Sequence, residues 1–146
     1  MKTETCTYSL SDIPLVAKKL KELVKDCQVI TFTGPLGAGK TTLIKELLKQ
    51  WGIKEMVTSP TFTYLNLYEN EAGQTFYHFD LYRIGSLAGF QEAGFDEYLY
   101  EPESYTLIEW PEHILPLLSQ GACHVAIDYH EDPEKRVMTV IKKGTP

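Results

Sequence analysis

The hydrophobic residues of the chain form two kinds of pattern, short β-type runs and helical stripes. Residues 29–33 are β-branched or aromatic and predict a buried strand. Apolar residues between Leu43 and Leu48 recur at helical spacing and predict a helix over residues 40–50. The other predicted elements are strands at 4–10, 105–108, 125–129 and 137–141, a helix entered at Ser11, Asp12 and Pro14, a helix at 86–100, and a hairpin over 61–79. Strands that alternate with helices, together with hairpins, predict an α/β fold with a sheet of mixed, partly antiparallel direction.

Length and composition favour one globular domain and exclude several classes of protein. The chain has 146 residues, 43% of them hydrophobic and 23% charged, which predicts a single domain over residues 1–146. Its net charge is −6, so it lacks the basic surface with which a protein holds RNA unaided. No apolar run approaches the roughly 18 residues of a membrane span, and the polar N-terminus shows no secretory signal.

The three cysteines are odd in number and show no C-x-x-C spacing. This pattern predicts neither a disulfide framework nor a zinc site. A reduced, cytoplasmic location fits these cysteines best.

One motif is typical of loops that bind phosphate groups. Residues 34–41 read G-x-x-x-x-G-K-T and lie between the predicted strand at 29–33 and the predicted helix at 40–50. Glycines let consecutive N–H groups face one anion, and a helix N-terminus favours negative charge. Lys40 is then expected to reach β- and γ-phosphate oxygens, and Thr41 to offer a hydroxyl to Mg²⁺. The alternative is a glycine-rich turn with an incidental lysine.

Two acidic residues follow predicted strands. Glu109 comes directly after the strand at 105–108, as a Walker B acid does, and Asp80 follows the run at 76–79. Either residue could instead be a surface acid at the end of a strand. His78 is expected to be a packed histidine, and Trp110 is expected to pack in the fold or else to contact a ligand or a partner.

The remaining composition narrows the class of nucleotide-binding protein. The N-K-x-D and D-x-x-G strings of GTPases are absent, and Arg83 and Arg136 are the only arginines. Two arginines cannot form the arginine-rich lid of a small-molecule kinase. The favoured interpretation is a small ATPase that acts on a partner protein. A stand-alone phosphotransferase and a nucleotide-gated binding module remain open alternatives.

Four short motifs follow one another between residues 34 and 111. They are GPLGAGKTTL at 34–43, SPTFT at 59–63, HFDLYR at 78–83 and IEWP at 108–111. This ordered set resembles the motifs of the TsaE family, bacterial ATPases needed for threonylcarbamoyladenosine (t6A) modification of tRNA. The similarity is weak before residue 29 and after 112. Position 35 is commonly acidic in the family and is Pro35 here, which we expect to matter little.

The resemblance implies a P-loop NTPase-type three-layer fold, ATP and Mg²⁺ as ligands, and cytoplasmic partners TsaD and TsaB, with tRNA engaged only indirectly. It also implies that residues 59–63 form a switch loop that senses the γ-phosphate. It assigns catalytic roles to Lys40, Asp80 and Glu109, with Glu109 activating the water. Whether Asp80 or Glu109 is the direct metal ligand stays open. The implied ligand contacts are Ser11, Gly34, Gly37, Ala38, Gly39, Lys40, Thr41, Thr42 and Arg136 for the nucleotide, and Thr41, Asp80 and Glu109 for the metal.

Overall fold

The strands described in the computed structural model, which covers residues 2–118 and 121–142, form one mixed sheet. The strands are β1 (Lys2–Ser9), β2 (Val29–Thr33), β3 (Leu65–Glu69), β4 (Thr75–Asp80), β5 (Ser104–Glu109), β6 (Ala122–Tyr129) and β7 (Lys135–Lys142). Their order across the sheet is β1-β7-β6-β2-β5-β4-β3. The four strands β6, β2, β5 and β4 run parallel, and the pairs β1–β7, β7–β6 and β4–β3 are antiparallel. The predicted α/β class, the mixed sheet direction and the hairpins are confirmed.

Helical segments cover both faces of this sheet. The helices α1 (Ile13–Val24) and α2 (Lys40–Gln50) pack together on one face. The short helix α3 (Leu87–Glu92) and the 3-10 turn Phe95–Tyr98 contribute to a second apolar cluster on the other face. The molecule therefore has the predicted three layers. None of the described helices is long and apolar enough to cross a bilayer.

The apolar run of β2 is continuous because both of its faces are covered. Ile30 and Phe32 point towards the α1–α2 layer, and Val29 belongs to the cluster on the opposite face. Leu43 and Leu47 of α2 are almost completely buried against the first of these faces. Burial of each such side chain contributes about 1.5–3 kcal/mol, which fixes α2 to the sheet directly beside the C-terminal end of β2.

Parallel pairing brings the predicted carboxylates together at that end of the sheet. Asp80 pairs with Glu109 in the register of β4 and β5, and Glu109 pairs with Phe32 in the register of β5 and β2. Residues paired in this way point to the same face, so both acids face the layer that contains α2. His78, two residues before Asp80, points to the same face.

The predicted helix at 86–100 is wrong in extent. The helix α3 ends at Glu92, and Gly94 has a φ of +79°. Glycine adopts this left-handed conformation without the steric penalty of a side chain, so it ends the helix. The chain then continues as the 3-10 turn Phe95–Tyr98.

The predicted entry into the first helix is also corrected. Ser11 lies in a 3-10 turn, Leu10–Asp12, and does not cap α1. Asp12 precedes α1 without a side-chain capping hydrogen bond, and Pro14 occupies the first turn as expected.

The two buried cysteines form an unpredicted disulfide. Cys27 lies before β2 and Cys123 lies in β6, with their Cα atoms 6.1 Å apart. The neighbouring register pairs Ile30 with Cys123, so adjacent parallel strands bring the two cysteines together. The cysteine pattern predicted no disulfide framework and gave no sign of this bond, because pairing over 96 residues of sequence leaves no local signal. The cysteines therefore do not support the predicted reduced location.

Candidate functional site

The loop between β2 and α2, residues 34–39, requires glycine at three positions. Gly34, Gly37 and Gly39 have φ values of +144°, +80° and +107°, where L-residues with side chains are strained. A Cβ atom at Gly34 would also overlap the carbonyl oxygen of Ile127 in β6. The sequence therefore turns sharply after β2, and Gly39 leads directly into α2.

A cleft of about 310 Å³ lies between this loop and the ends of β4 and β5. The loop contributes backbone and the first residues of α2 to one side, and the strand ends contribute carboxylates to the other. The lining residues are Leu36, Gly37, Gly39, Lys40, Thr41, Thr42, Ser59, Thr61, Asp80, Glu109 and Trp110. Most of the predicted site residues thus meet in one cleft.

Lys40 is held at this cleft by backbone and aromatic contacts. Its Nζ donates hydrogen bonds to the carbonyl oxygens of Gly34 and Pro35, the latter at 3.3 Å. The same ammonium lies 3.8 Å from the centroid of the Trp110 ring, within cation–π range. None of these three partners carries a charge, so the charge of Lys40 is available to an anion.

The electrostatic surroundings of Lys40 act in two directions. Burial lowers the pKa of Lys40, because desolvation disfavours the charged amine. Nearby carboxylates oppose this effect; they belong to Glu109, Glu112 and Asp80. An anion bound at Lys40 would add to these charges and favour the ammonium form.

Glu109 is a buried carboxylate that joins three elements. The hydroxyl of Thr41, in the first turn of α2, donates to its two oxygens at 2.8 and 3.0 Å. His78 Nε2 in β4 lies 2.8 Å from Oε2. Glu109 is only 2% exposed, so its carboxylate has lost most of its contact with water. The hydrogen bonds from Thr41 and His78 replace the hydrogen bonds that water would make.

His78 is packed as expected, but it also contacts the site. It is fully buried, and its Nδ1 has no hydrogen-bond partner among the described residues. A neutral ring with the proton on Nε2 donates to Glu109 and leaves a lone pair, not an N–H, without a partner. The sequence signal was the spacing His78-x-Asp80 in a strand, which places both side chains on one face.

Asp80 connects the strand end to residues 59–63. Its Oδ2 accepts a hydrogen bond from the hydroxyl of Thr61 at 3.3 Å, and its Oδ1 accepts one from the Tyr82 backbone N–H at 3.0 Å. The hydroxyls of Ser59 and Thr61 are 2.8 Å apart. Asp80 is therefore in direct hydrogen-bond contact with this segment.

Large side chains lie next to residues that line the cleft. Trp110 has a φ of +58°, and its ring lies 4.9 Å from that of Tyr82. The guanidinium of Arg83 lies 5.1 Å from the ring centroid of Phe62, which is 81% exposed. Tyr82 is 56% exposed. Aromatic and arginine side chains of this kind are enriched at protein interfaces.

Four residues predicted to contact the nucleotide do not line the cleft: Gly34 and Ala38 of the loop, Arg136 and Ser11. Arg136 Nε donates to the carbonyl oxygen of Ala38 at 3.2 Å, so it contacts the outside of the loop. Ser11 is exposed in its 3-10 turn, whose first residue, Leu10, donates its N–H to the carbonyl oxygen of Glu134. A role for Ser11 at the base stays a prediction.

Comparison with known proteins agrees with the motifs. A family model described as Threonylcarbamoyl adenosine biosynthesis protein TsaE matches residues 7–138. The tRNA threonylcarbamoyladenosine biosynthesis protein TsaE of Haemophilus influenzae is 39% identical over 71% of this chain and 65% of its own length, so the match spans just under two thirds of that relative. The protein of the same name from Aquifex aeolicus is 33% identical over 98% of this chain and 94% of its own length. A crystal structure of YdiB from Bacillus subtilis is 28% identical and covers 99% of this chain and 89% of its own, with a TM-score of 0.74.

The His78–Glu109 contact generates a stability prediction. His78→Leu removes the donor to a buried carboxylate, so we expect the free energy of unfolding to fall by about 1–3 kcal/mol. The control His113→Leu changes an exposed histidine and should stay within about 0.5 kcal/mol of the parent. Urea denaturation measures both values, and equal stability of the two variants would contradict a stabilising contact.

Proposed function

The chain belongs to the TsaE family of threonylcarbamoyladenosine biosynthesis proteins, and from this membership and its cleft we propose that it binds ATP with Mg²⁺ and hydrolyses it. Hydrolysis serves the t6A modification of tRNA in the cytoplasm, through an action on a TsaD–TsaB complex. The observation that carries the proposal is the hydrogen bonding of Thr41 to Glu109 at 2.8 and 3.0 Å. It joins the helix that follows a phosphate-binding loop to a buried acid at the end of a neighbouring strand.

The donor atoms of the cleft fit ATP and Mg²⁺. Glycine-rich backbone, the α2 N-terminus and Lys40 suit a chain of phosphates. The Thr41 hydroxyl and the carboxylates of Glu109 and Asp80 are hard oxygen ligands of the kind that Mg²⁺ takes. The described residues contain no cluster of three or more His, Cys, Asp or Glu able to hold a metal alone. This suits Mg²⁺, which in such sites takes further ligands from phosphates and water.

The existing hydrogen bonds are compatible with metal binding. A hydroxyl has one proton and two lone pairs, so Thr41 can donate to Glu109 and still offer a lone pair to a cation. Lys40 and the loop N–H groups would hold the phosphates, and Mg²⁺, when bound, would neutralise charge on them. Asp80 lies beside Glu109 and faces Thr61, so it connects the metal end of the cleft to residues 59–63.

Glu109 is the proposed general base. Its carboxylate takes a proton from the attacking water, while the Nε2–H of His78 fixes the orientation of the acceptor. Glu109 is only 2% exposed, so little bulk solvent reaches its side chain. The fixed orientation and the burial of the acid support this assignment.

Hydrolysis changes the conformation of residues 59–63, and a partner protein recognises this change. Thr61 bonds to Asp80, so phosphate and metal contacts can order residues 59–63, and hydrolysis can release them. Phe62 in this segment and Tyr82 and Arg83 beside it form an exposed surface suited to a protein partner. The net charge of −6 favours indirect engagement of tRNA through other subunits.

The requirement for the Thr41 hydroxyl tests the proposal as a whole. Thr41→Ser keeps the hydroxyl, and Thr41→Val keeps the shape without it. In reconstituted t6A synthesis with TsaD, TsaB, tRNA and the threonylcarbamoyl donor, we expect the Ser variant to support the modification and the Val variant to fail. Modification that proceeds equally without this protein, or with Thr41→Val, would reject the proposed function.

Glu109→Gln separates binding from hydrolysis. The amide keeps the shape of the side chain and removes its basicity. We expect near-normal ATP affinity and a rate of phosphate release reduced about 10²-fold or more. If Glu109→Gln releases phosphate at the parental rate, Asp80 becomes the candidate general base. Asp80→Asn is then the variant to measure.

Nucleotide state should control partner binding. We expect TsaD–TsaB to bind this chain more tightly with a non-hydrolysable ATP analogue than with ADP. By linkage, TsaD–TsaB should raise the affinity for ATP over ADP by the same factor. Calorimetric titrations give both ratios, and equal dissociation constants for the two loaded forms would show that the nucleotide is not the switch.

A further inference from the structure

Two side chains hold the phosphate-binding loop from outside the cleft. The hydroxyl of Tyr129, at the end of β6, donates to the carbonyl oxygen of Leu36 at 2.6 Å. Arg136 Nε, at the start of β7, donates to the carbonyl oxygen of Ala38 at 3.2 Å. Tyr129 and Arg136 are register partners, and the guanidinium lies 5.0 Å from the tyrosine ring centroid.

The tethered carbonyls belong to the peptide units that determine where two loop N–H groups point. In a trans peptide the C=O and the following N–H point in opposite directions. The Leu36 carbonyl shares its peptide with the N–H of Gly37, and the Ala38 carbonyl shares its peptide with the N–H of Gly39. Both glycines line the cleft, whereas Tyr129 does not.

These glycines are also the positions where the loop has most conformational freedom. Gly37 and Gly39 have φ values of +80° and +107°, and neither has a side chain to restrict it. A Cβ at Gly37 would come within 3.3 Å of the Tyr129 hydroxyl, which shows how closely the phenol approaches this peptide. A rotated peptide would turn a carbonyl oxygen towards the anion.

We propose that Tyr129 is a positioning residue for the anion site: its hydroxyl fixes the Leu36–Gly37 peptide so that the Gly37 N–H faces a bound phosphate chain. This inference rests on the proposed ATP site and assigns Tyr129 to its phosphate end. Preorganisation by the tether lowers the entropy that the loop loses when the anion binds. Tyr129 thus acts through the backbone and makes no contact with the nucleotide itself.

The test compares two Tyr→Phe variants. Tyr129→Phe removes the tether and keeps the ring beside Arg136. The matched control Tyr105→Phe also removes a hydroxyl that donates to a carbonyl oxygen, that of Lys25 at 2.8 Å, remote from the cleft. Dissociation constants are measured with Mg²⁺ for ATP and for inorganic tripolyphosphate, which has phosphates and no nucleoside. Thermal unfolding of both variants is recorded alongside.

A positioning role predicts a common loss for both ligands. Tyr129→Phe should weaken ATP and tripolyphosphate by the same factor, about threefold to tenfold, the scale of one neutral hydrogen bond. Tyr105→Phe should leave both affinities unchanged, although each variant loses a comparable hydrogen bond from the folded state. A merely structural hydroxyl would affect unfolding without this difference in affinity.

The other outcomes overturn one proposal or both. Unchanged affinities in Tyr129→Phe overturn the positioning role, as does a loss for ATP alone, which would mean that the hydroxyl contacts the nucleoside. If the parental chain binds tripolyphosphate but not ATP, the proposed function is wrong, and the tripolyphosphate series still decides the role of Tyr129. Binding of neither ligand by the parental chain overturns both.

Discussion

The parallel register of β4 and β5 places Asp80 directly beside Glu109, and the rest of the site depends on this pairing. Glu109 pairs in turn with Phe32 of β2, which brings the acids to the strand that precedes the glycine loop. Side chains alternate between the faces of a sheet, so a slip of one residue would turn both acids away from α2. The tightly packed core beneath α2 therefore stabilises the fold and also maintains the strand register that positions the two acids.

Burial of the charged Glu109 carboxylate is the main electrostatic cost of bringing these residues together. An isolated buried carboxylate is strongly unfavourable, whereas one with well-placed donors is tolerated. Thr41 and His78 are those donors, and they come from α2 and β4. The same contacts that satisfy the charge hold the loop helix against the strand ends, so the orientation of the acid and the position of the loop are fixed together.

Features carried by neighbouring residues in sequence could be predicted, and features that depend on distant pairing could not. The glycine loop after β2 and the acids at positions 80 and 109 follow from local patterns of strand, turn and helix. The Tyr129–Leu36 contact and the Cys27–Cys123 disulfide depend on which strands are neighbours, and no local pattern contains that order. The helix predicted over 86–100 failed for another reason: the positive φ of Gly94 decides where the helix stops, and residue periodicity does not report it.

The contact between Lys40 and Trp110 makes the fluorescence of Trp110 sensitive to the position of Lys40. An ammonium group 3.8 Å from the ring centroid shifts the energy of the indole excited state. Any anion that draws Lys40 away from the ring changes that field, and the emission of Trp110 changes with it. The only other tryptophan, Trp51, is buried in the core against Phe76 and Tyr105. Occupancy of the cleft can therefore be followed by fluorescence without attaching a dye.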